Sequence, residues 1–503
     1  MPADQNKKNG YKNKKNIKTR IIGILVILVI IIGTVTISHF SSLEPEIEYP
    51  EIKQGAYLEI GNSSNFTDYG LLGNGSLENP YIIENLTISN YEQGISIWNI
   101  IENVTIRNCI MTNNIVGINI HGVESSVIKI FNCTIESQWQ LSDGIELWSS
   151  NEQIAGNIIL INNTIDVDNN ALKIPGGRRS KVNSTILENQ FINGYISVAG
   201  QVNARIYNNI FVQGGVSTYL TPYIHIENNS FENGTIFVSD SDLIEIRNNS
   251  FIRGGISFFY IKENQLENCI VEYNYVNKRE IKIFRNLNNT EIIDMNFGEI
   301  ILFDCENTKI KDNSITHASV GISIHHSKNI TLENNQLTEN YEYGIVLLDS
   351  DSCEIINNEF KFCERVGIVL QNTNNTQIVN NTFIENKCHG IYLVNSFDCL
   401  IYNNHFIDNN IVCKKQAYDS NGNNYWYNPG TKKGNYWSDW SGIGSYRINN
   451  YKEHPKDLYP LRNSPYGKRK MCLGEWMAIT LLPPIMLIAY FRRMRIINKF
   501  GKQ

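Results

Sequence analysis

Between Asn329 and Asn410 apolar residues alternate with polar ones in runs too short for a helix (GIVL, GIVL, GIYL), each bounded by Asn, Asp, Ser or Gly. Alternation over a few residues between turn formers marks short strands. The runs recur at a fixed distance. Asparagine pairs at Asn334-Asn335, Asn357-Asn358, Asn380-Asn381 and Asn403-Asn404 stand 23 residues apart, and Gly321, Gly344, Gly367 and Gly390 keep that step. Superposed repeats place Leu332, Ile355, Ile378 and Ile401 in one apolar column and Leu337, Phe360, Phe383 and Phe406 in another. A constant period with conserved-size columns is the pattern of a solenoid. Strands that stack once per repeat make a parallel β-helix rising ~4.8 Å per coil. Asparagine suits its corners, because it tolerates the left-handed conformation and its amide can bond to the Asn one coil along.

The same grammar runs backwards through the chain. Corners at Asn85, Asn108 and Asn132 precede Gly-Ile strands, the spacing loosens around Asn162-Asn163, and it tightens to 20 residues from Asn189 to Asn249. The expected fold is therefore all-β, a right-handed parallel β-helix of roughly 14 coils and on the order of 65 Å. It is expected over 85–410, with an N-terminal cap at 57–84 and an aromatic C-terminal cap at 411–465 containing Trp426, Trp437 and Trp440. Caps are needed because an open solenoid end exposes core. A carbohydrate-binding aromatic patch is the rival reading of 411–465.

The ends differ in composition. A basic tail at 1–20 precedes an apolar run at 21–38, read as an uncleaved signal anchor with a cleaved signal peptide as the alternative. A linker follows at 39–56. A second apolar run at 471–491 contains Pro483-Pro484 and is followed by a basic tail at 492–503. It reads as a second transmembrane helix, with a buried hydrophobic helix as the alternative. The basic flanks put both termini in the cytoplasm and the β-helix outside. Residues 41–465 carry 29 basic against 48 acidic side chains, a net of -19. That balance excludes nucleic acid as a partner of the middle region. The membrane is the expected partner, with a glycan or surface protein as the ligand.

The Asn-Asn/Gly-Ile repeats resemble those of the NosD-type family of right-handed parallel β-helix proteins. GNGSLENPYIIENLTI (Gly73–Ile88), GNYWSDW (Gly434–Trp440) and DLYPL (Asp457–Leu461) resemble archaeal surface proteins of that family. The resemblance implies a β-helix over about 57–461, and the family name implies copper delivery to a reductase. The acidic stretch that many relatives carry between the last two motifs is replaced here by SGIGSYRINNYKEHPK, so no metal site is carried over.

The residues themselves bear on three chemistries. For catalysis, Asp143 with Glu146, near Arg178-Arg179, is the nearest approach to a carboxylate–base cluster, and no catalytic residue is assigned. For copper, which favours Cys and Met, the middle region offers only Met111 and Met295, and Cys388-His389, His405 and Cys413 do not share a column. Cys353 and Cys399 read as core residues. Cys109 and Cys133 match in register, either bridged or as free thiols. No metal or cofactor is assigned. For binding, the fourth residue after each strand glycine should point outward. It reads Trp98, His121, Trp148, Tyr219, Phe259 and His325, a ladder of rings suited to a sugar or a partner surface. Asn62, Asn65 and Asn74 are the expected glycosylation sites. The expected function is a membrane-anchored, non-enzymatic surface or binding protein. A carbohydrate-active β-helix enzyme and a NosD-like copper accessory are the alternatives.

Overall fold

The computed structural model describes residues 57–463, apart from 62–63, 123, 149–154, 175–180, 201, 263–264, 266–267, 410–414, 421 and 449–454. Its strands are short and almost all pair in parallel with the equivalent strand one coil on. Inward columns are the ones expected from the repeat. Leu332, Ile355, Ile378 and Ile401 are fully buried, and Phe360, Phe383 and Phe406 stack at centroid distances of 4.9 Å. Phe191, Phe211, Phe231 and Phe251 form an equivalent column in the 20-residue coils. The expected transmembrane runs at 21–38 and 471–491 lie outside the described residues; among the described residues no helix is long and apolar enough to cross a membrane.

Each asparagine pair divides its work. The first member takes the left-handed conformation that turns the corner, as at Asn208 (φ 57°), Asn334 (φ 55°) and Asn357 (φ 57°). The second is buried and bonds to its neighbour along the axis. Asn335 N and Nδ2 both donate to Asn358 Oδ1, which repeats from Asn358 to Asn381 and from Asn381 to Asn404. The Nδ2 group also donates to strand carbonyls, so backbone groups left free at the corner are satisfied internally.

The coils do not form one rod. A nine-stranded sheet runs from Tyr81–Glu84 to Ile270–Glu272, and two six-stranded sheets belong to a second stack beginning at Glu291–Ile293. Between them Tyr275–Val276 pairs antiparallel with Arg279–Arg285 across Asn277 (φ 48°) and Lys278 (φ 68°). Two consecutive left-handed residues make the tight hairpin turn that reverses a chain. The second stack then packs against the first. Ser257 Oγ meets Ser319 Oγ at 2.5 Å, Arg253 Nη2 meets Glu364 Oε1 at 2.5 Å, and Gln371 Nε2 donates to Tyr260 OH at 3.3 Å. Glu299, fully buried, accepts from Ile256 N with one oxygen and from Val320 N with the other. Burial pushes its carboxyl well up and also raises that of nearby Glu342, with Arg365 opposing at Glu342. The single 65 Å rod is thus corrected. The longer stack of nine coils spans about 40 Å at strand spacing.

The C-terminal segment is a cap, and its rings are core. Trp437 stacks on Phe406 at 4.1 Å, extending the phenylalanine column, and Tyr446 covers its other face at 4.1 Å. Trp426 and Trp437 are buried, which removes them as a sugar-binding patch. The asparagine ladder ends here: Asn404 donates to Asn435 Oδ1, and Asn435 N donates to Asp457 Oδ2, which also receives Trp437 Nε1. The GNYWSDW and DLYPL motifs are therefore two halves of one terminator. Gly434 is required there, since a Cβ would lie 1.9 Å from Asp457 Oδ1.

Burial pushes the Asp457 carboxyl up to about 6, against the pull of hydrogen bonds from Asn435, Trp437 and Tyr459. The folded value exceeds the ~3.9 of an exposed Asp, so the folded chain keeps this proton to higher pH than the unfolded one. The resulting stabilisation is complete below about pH 4 and is lost as pH rises through about 6. Unfolding free energy should gain about 2–3 kcal/mol from this group on acidification from pH 7 to about pH 4. Urea titrations of the wild type and Asp457→Asn across that range check it; parallel profiles for the two proteins would refute it.

Candidate functional site

Three successive strands, Gln93–Trp98, Val116–His121 and Asp143–Trp148, form one outer face near the N-terminal end of the first stack. Their residues pair in register. One column runs Glu59, Ser96, Asn119, Glu146, Lys173, and the adjacent one runs Trp98, His121, Trp148. Between and beside them lies a groove of about 580 Å³ lined by Trp98, His121, Gln93, Ser96, Asn119 and three carboxylates, Glu59, Glu92 and Glu146. It continues into a smaller recess with Tyr57 and Tyr91.

Local packing sets each group. The Trp98 ring lies over Gly61, where a Cβ would come within 2.7 Å of Cζ2, so the glycine makes room for the indole. The ring keeps 36% of its surface exposed. Glu146 is mostly buried and paired with Lys173 one coil on, at 2.5 Å. Tyr57 OH donates to Glu59 at 3.2 Å. The polar floor is not self-satisfied. Asn119 Oδ1 is buried without a hydrogen-bond partner, and Ser96, only 8% exposed, borders the groove with a hydroxyl that bonds to no described residue. A buried acceptor without a partner costs ~1–3 kcal/mol.

The structure keeps part of the expected ring ladder. Trp98 and His121 share the groove. Trp148 occupies the next position of the column, though its side chain lies outside the described residues. Tyr219 is half exposed but four coils from Trp98's neighbours and does not line the groove. Phe259 is corrected: it is 5% exposed and packs against Val320, Tyr343, Val346 and Val369 of the second stack. His325 is likewise buried, stacked on Phe303 and bonded to Ser323. Its outward position is covered by the folding back of the chain. The floor column was missed. Its signal was the second residue after each strand glycine, which reads Ser96, Asn119 and Glu146.

Asp143 is structural. It accepts from Asn170 N, Asn170 Nδ2 and Asn169 Nδ2, each at 2.9 Å. Arg178 and Arg179 lie outside the described residues, as does Asn62. Asn65 uses its side-chain oxygen on Gly61 N, and Asn74, exposed, accepts from Ser76 N. Cys353 and Cys399 are buried core thiols, and Cys109 and Cys133 are adjacent, buried and unbridged. Cys388 is disulfide-bonded, and His389 is buried and bonded to Lys415 O, which leaves neither as a ready ligand. Among the described residues no group of three or more His, Cys, Asp or Glu could hold a metal ion. The described residues therefore do not fit a copper centre, and no step through copper is derived.

Residues 246–442 match the family model described as periplasmic copper-binding protein (NosD). No curated protein matches the chain. Among solved structures, the chain is similar to the A-module of the Azotobacter vinelandii mannuronan C-5 epimerase AlgE6, at 12% identity over 75% of this chain and 97% of that one, with a TM-score of 0.24. It is similar to tailspike protein 3 of bacteriophage CBA120 at 12% identity, over 67% of this chain and 49% of that one, TM-score 0.22. The periplasmic alginate epimerase AlgG matches at 10% identity, over 72% and 82%, TM-score 0.18.

Proposed function

We propose that this NosD-type β-helix repeat protein is a non-enzymatic surface protein, held in the membrane by the apolar runs at 21–38 and 471–491, whose N-terminal groove binds an extended glycan. One observation carries the reading: the Trp98–His121 ring column stands in register beside a polar floor in which Asn119 Oδ1 has no hydrogen-bond partner among the described residues. Sugars offer an apolar ring face to indole and imidazole and hydroxyls to Asn, Gln, Ser and Glu. The ~4.8 Å coil spacing repeats this pairing along the axis. A disulfide at Cys388 is at home in an oxidising compartment outside the cytoplasm.

A two-carboxylate glycosidase fits less well. Glu59 and Glu146 stand three coils apart, on the order of 14 Å, whereas such enzymes place their carboxyls ~5–9.5 Å apart.

Trp98→Ala in the full-length protein should weaken binding to its best glycan on an array by about tenfold or more, as truncation of a central aromatic anchor does. Gly61→Val, which displaces the ring without removing it, should do the same. Unchanged binding by both variants, with wild-type melting, would end the proposal.

A further inference from the structure

The charge of the groove points to the kind of glycan. Glu59, Glu92 and Glu146 line it; among the described residues no Lys or Arg does, and the only cation paired to these carboxylates is Lys173, at Glu146. Glu59 and Glu92 are exposed and line the groove. An anionic polymer such as a polyuronate would bring like charge against like. An amine would find two carboxylates, Glu59 and Glu92, that are paired to no cation among the described residues. Ser96, nine-tenths buried and without a partner among the described residues, supplies a hydroxyl that can accept from an ammonium or donate to a ring oxygen. The ring column and the coil-by-coil repetition favour a chain of pyranose rings over a basic peptide, whose side chains alternate across two faces and would present a cation to the floor only at every second residue.

We infer that the groove selects glycans carrying free amino groups, of the glucosamine-polymer class, over their N-acetylated and uronate counterparts. This rests on the glycan-binding reading above. The test is calorimetry on the full-length protein with four probes: chitosan, chitin and galacturonate hexasaccharides, and a lysine hexapeptide. The expected result is tightest binding to the chitosan hexamer, about tenfold or more over the chitin hexamer, and weakest to the galacturonate. The preference should shrink as salt rises toward 1 M, where screening acts over ~3 Å. The double variant Glu59→Gln/Glu92→Gln should lower the chitosan-to-chitin ratio by roughly tenfold. Equal or tighter binding of chitin or galacturonate overturns the amino-sugar assignment while leaving a glycan groove in place. Binding of the lysine peptide alone, or of none of the four, overturns both.

Discussion

Replacing Asn209 by alanine should lower the unfolding free energy by about 3–5 kcal/mol, while replacing its neighbour Asn208 by glycine should change it by less than about 1 kcal/mol. The side chain of Asn209 sits inside the coil. Its Oδ1 receives both Asn189 N and Asn189 Nδ2, and its Nδ2 donates to Ile186 O, Tyr207 O and Asn229 Oδ1. Alanine leaves Asn189 N, a buried backbone donor, without its partner, and takes one bond each from Asn189 Nδ2, from the carbonyls of Ile186 and Tyr207 and from Asn229 Oδ1. Each orphaned group costs ~1–3 kcal/mol, and members of a polar network polarise one another, so the loss is shared along the ladder. Asn208 is exposed and serves by its backbone, at φ 57°. Glycine adopts that conformation without strain, at a modest cost in unfolded-chain entropy. Urea titrations of the two variants give the comparison. Similar losses for both would mean that the buried and corner asparagines do not divide their roles as described.

Val369→Asp should cost a similar about 3–5 kcal/mol, and for a different reason. Val369 points away from the core of its own coil, yet it is only 4% exposed, because it faces Phe259 and its neighbours across the junction of the two stacks. A carboxylate there must be desolvated in an apolar cluster or drive the stacks apart. The second route exposes the Glu299 bridge, so the amides of Ile256 and Val320, which donate to it, should lose hydrogen-exchange protection. Protection in the distant asparagine ladder, for example at Asn209 N, should persist. An Asp variant with wild-type stability, or one whose ladder and junction open together, would show that the stacks do not pack through this face.

The period of 23, the apolar columns and the left-handed asparagines were legible because each coil is built from local sequence and touches mainly its neighbours. A residue's place in the repeat then decides whether it points in or out. The terminator at Gly434–Trp440 and Asp457–Leu461 was visible as two motifs, but not as one hydrogen-bonded unit, since its halves meet only where Asn435 reaches Asp457. The largest departure came at the outward face. Trp98 and Phe259 hold the same place in the repeat, and only the first reaches solvent. Val346 and Val369, apolar at outward positions, were the local trace of a second buried face, since strands covered on both sides lose alternation.

The sequence by itself determined the coil: its strands, its corners, its inward columns and the register that aligns Ser96, Asn119 and Glu146 beside Trp98 and His121. Only the tertiary structure decided which outward columns remain open. The hairpin at Asn277-Lys278 sends the later coils back against the earlier ones, joining residues as far apart as Tyr260 and Gln371. Contacts at that separation leave no period in the chain, so they closed the face at Phe259 and left the groove at Trp98 without either outcome being written in the repeat.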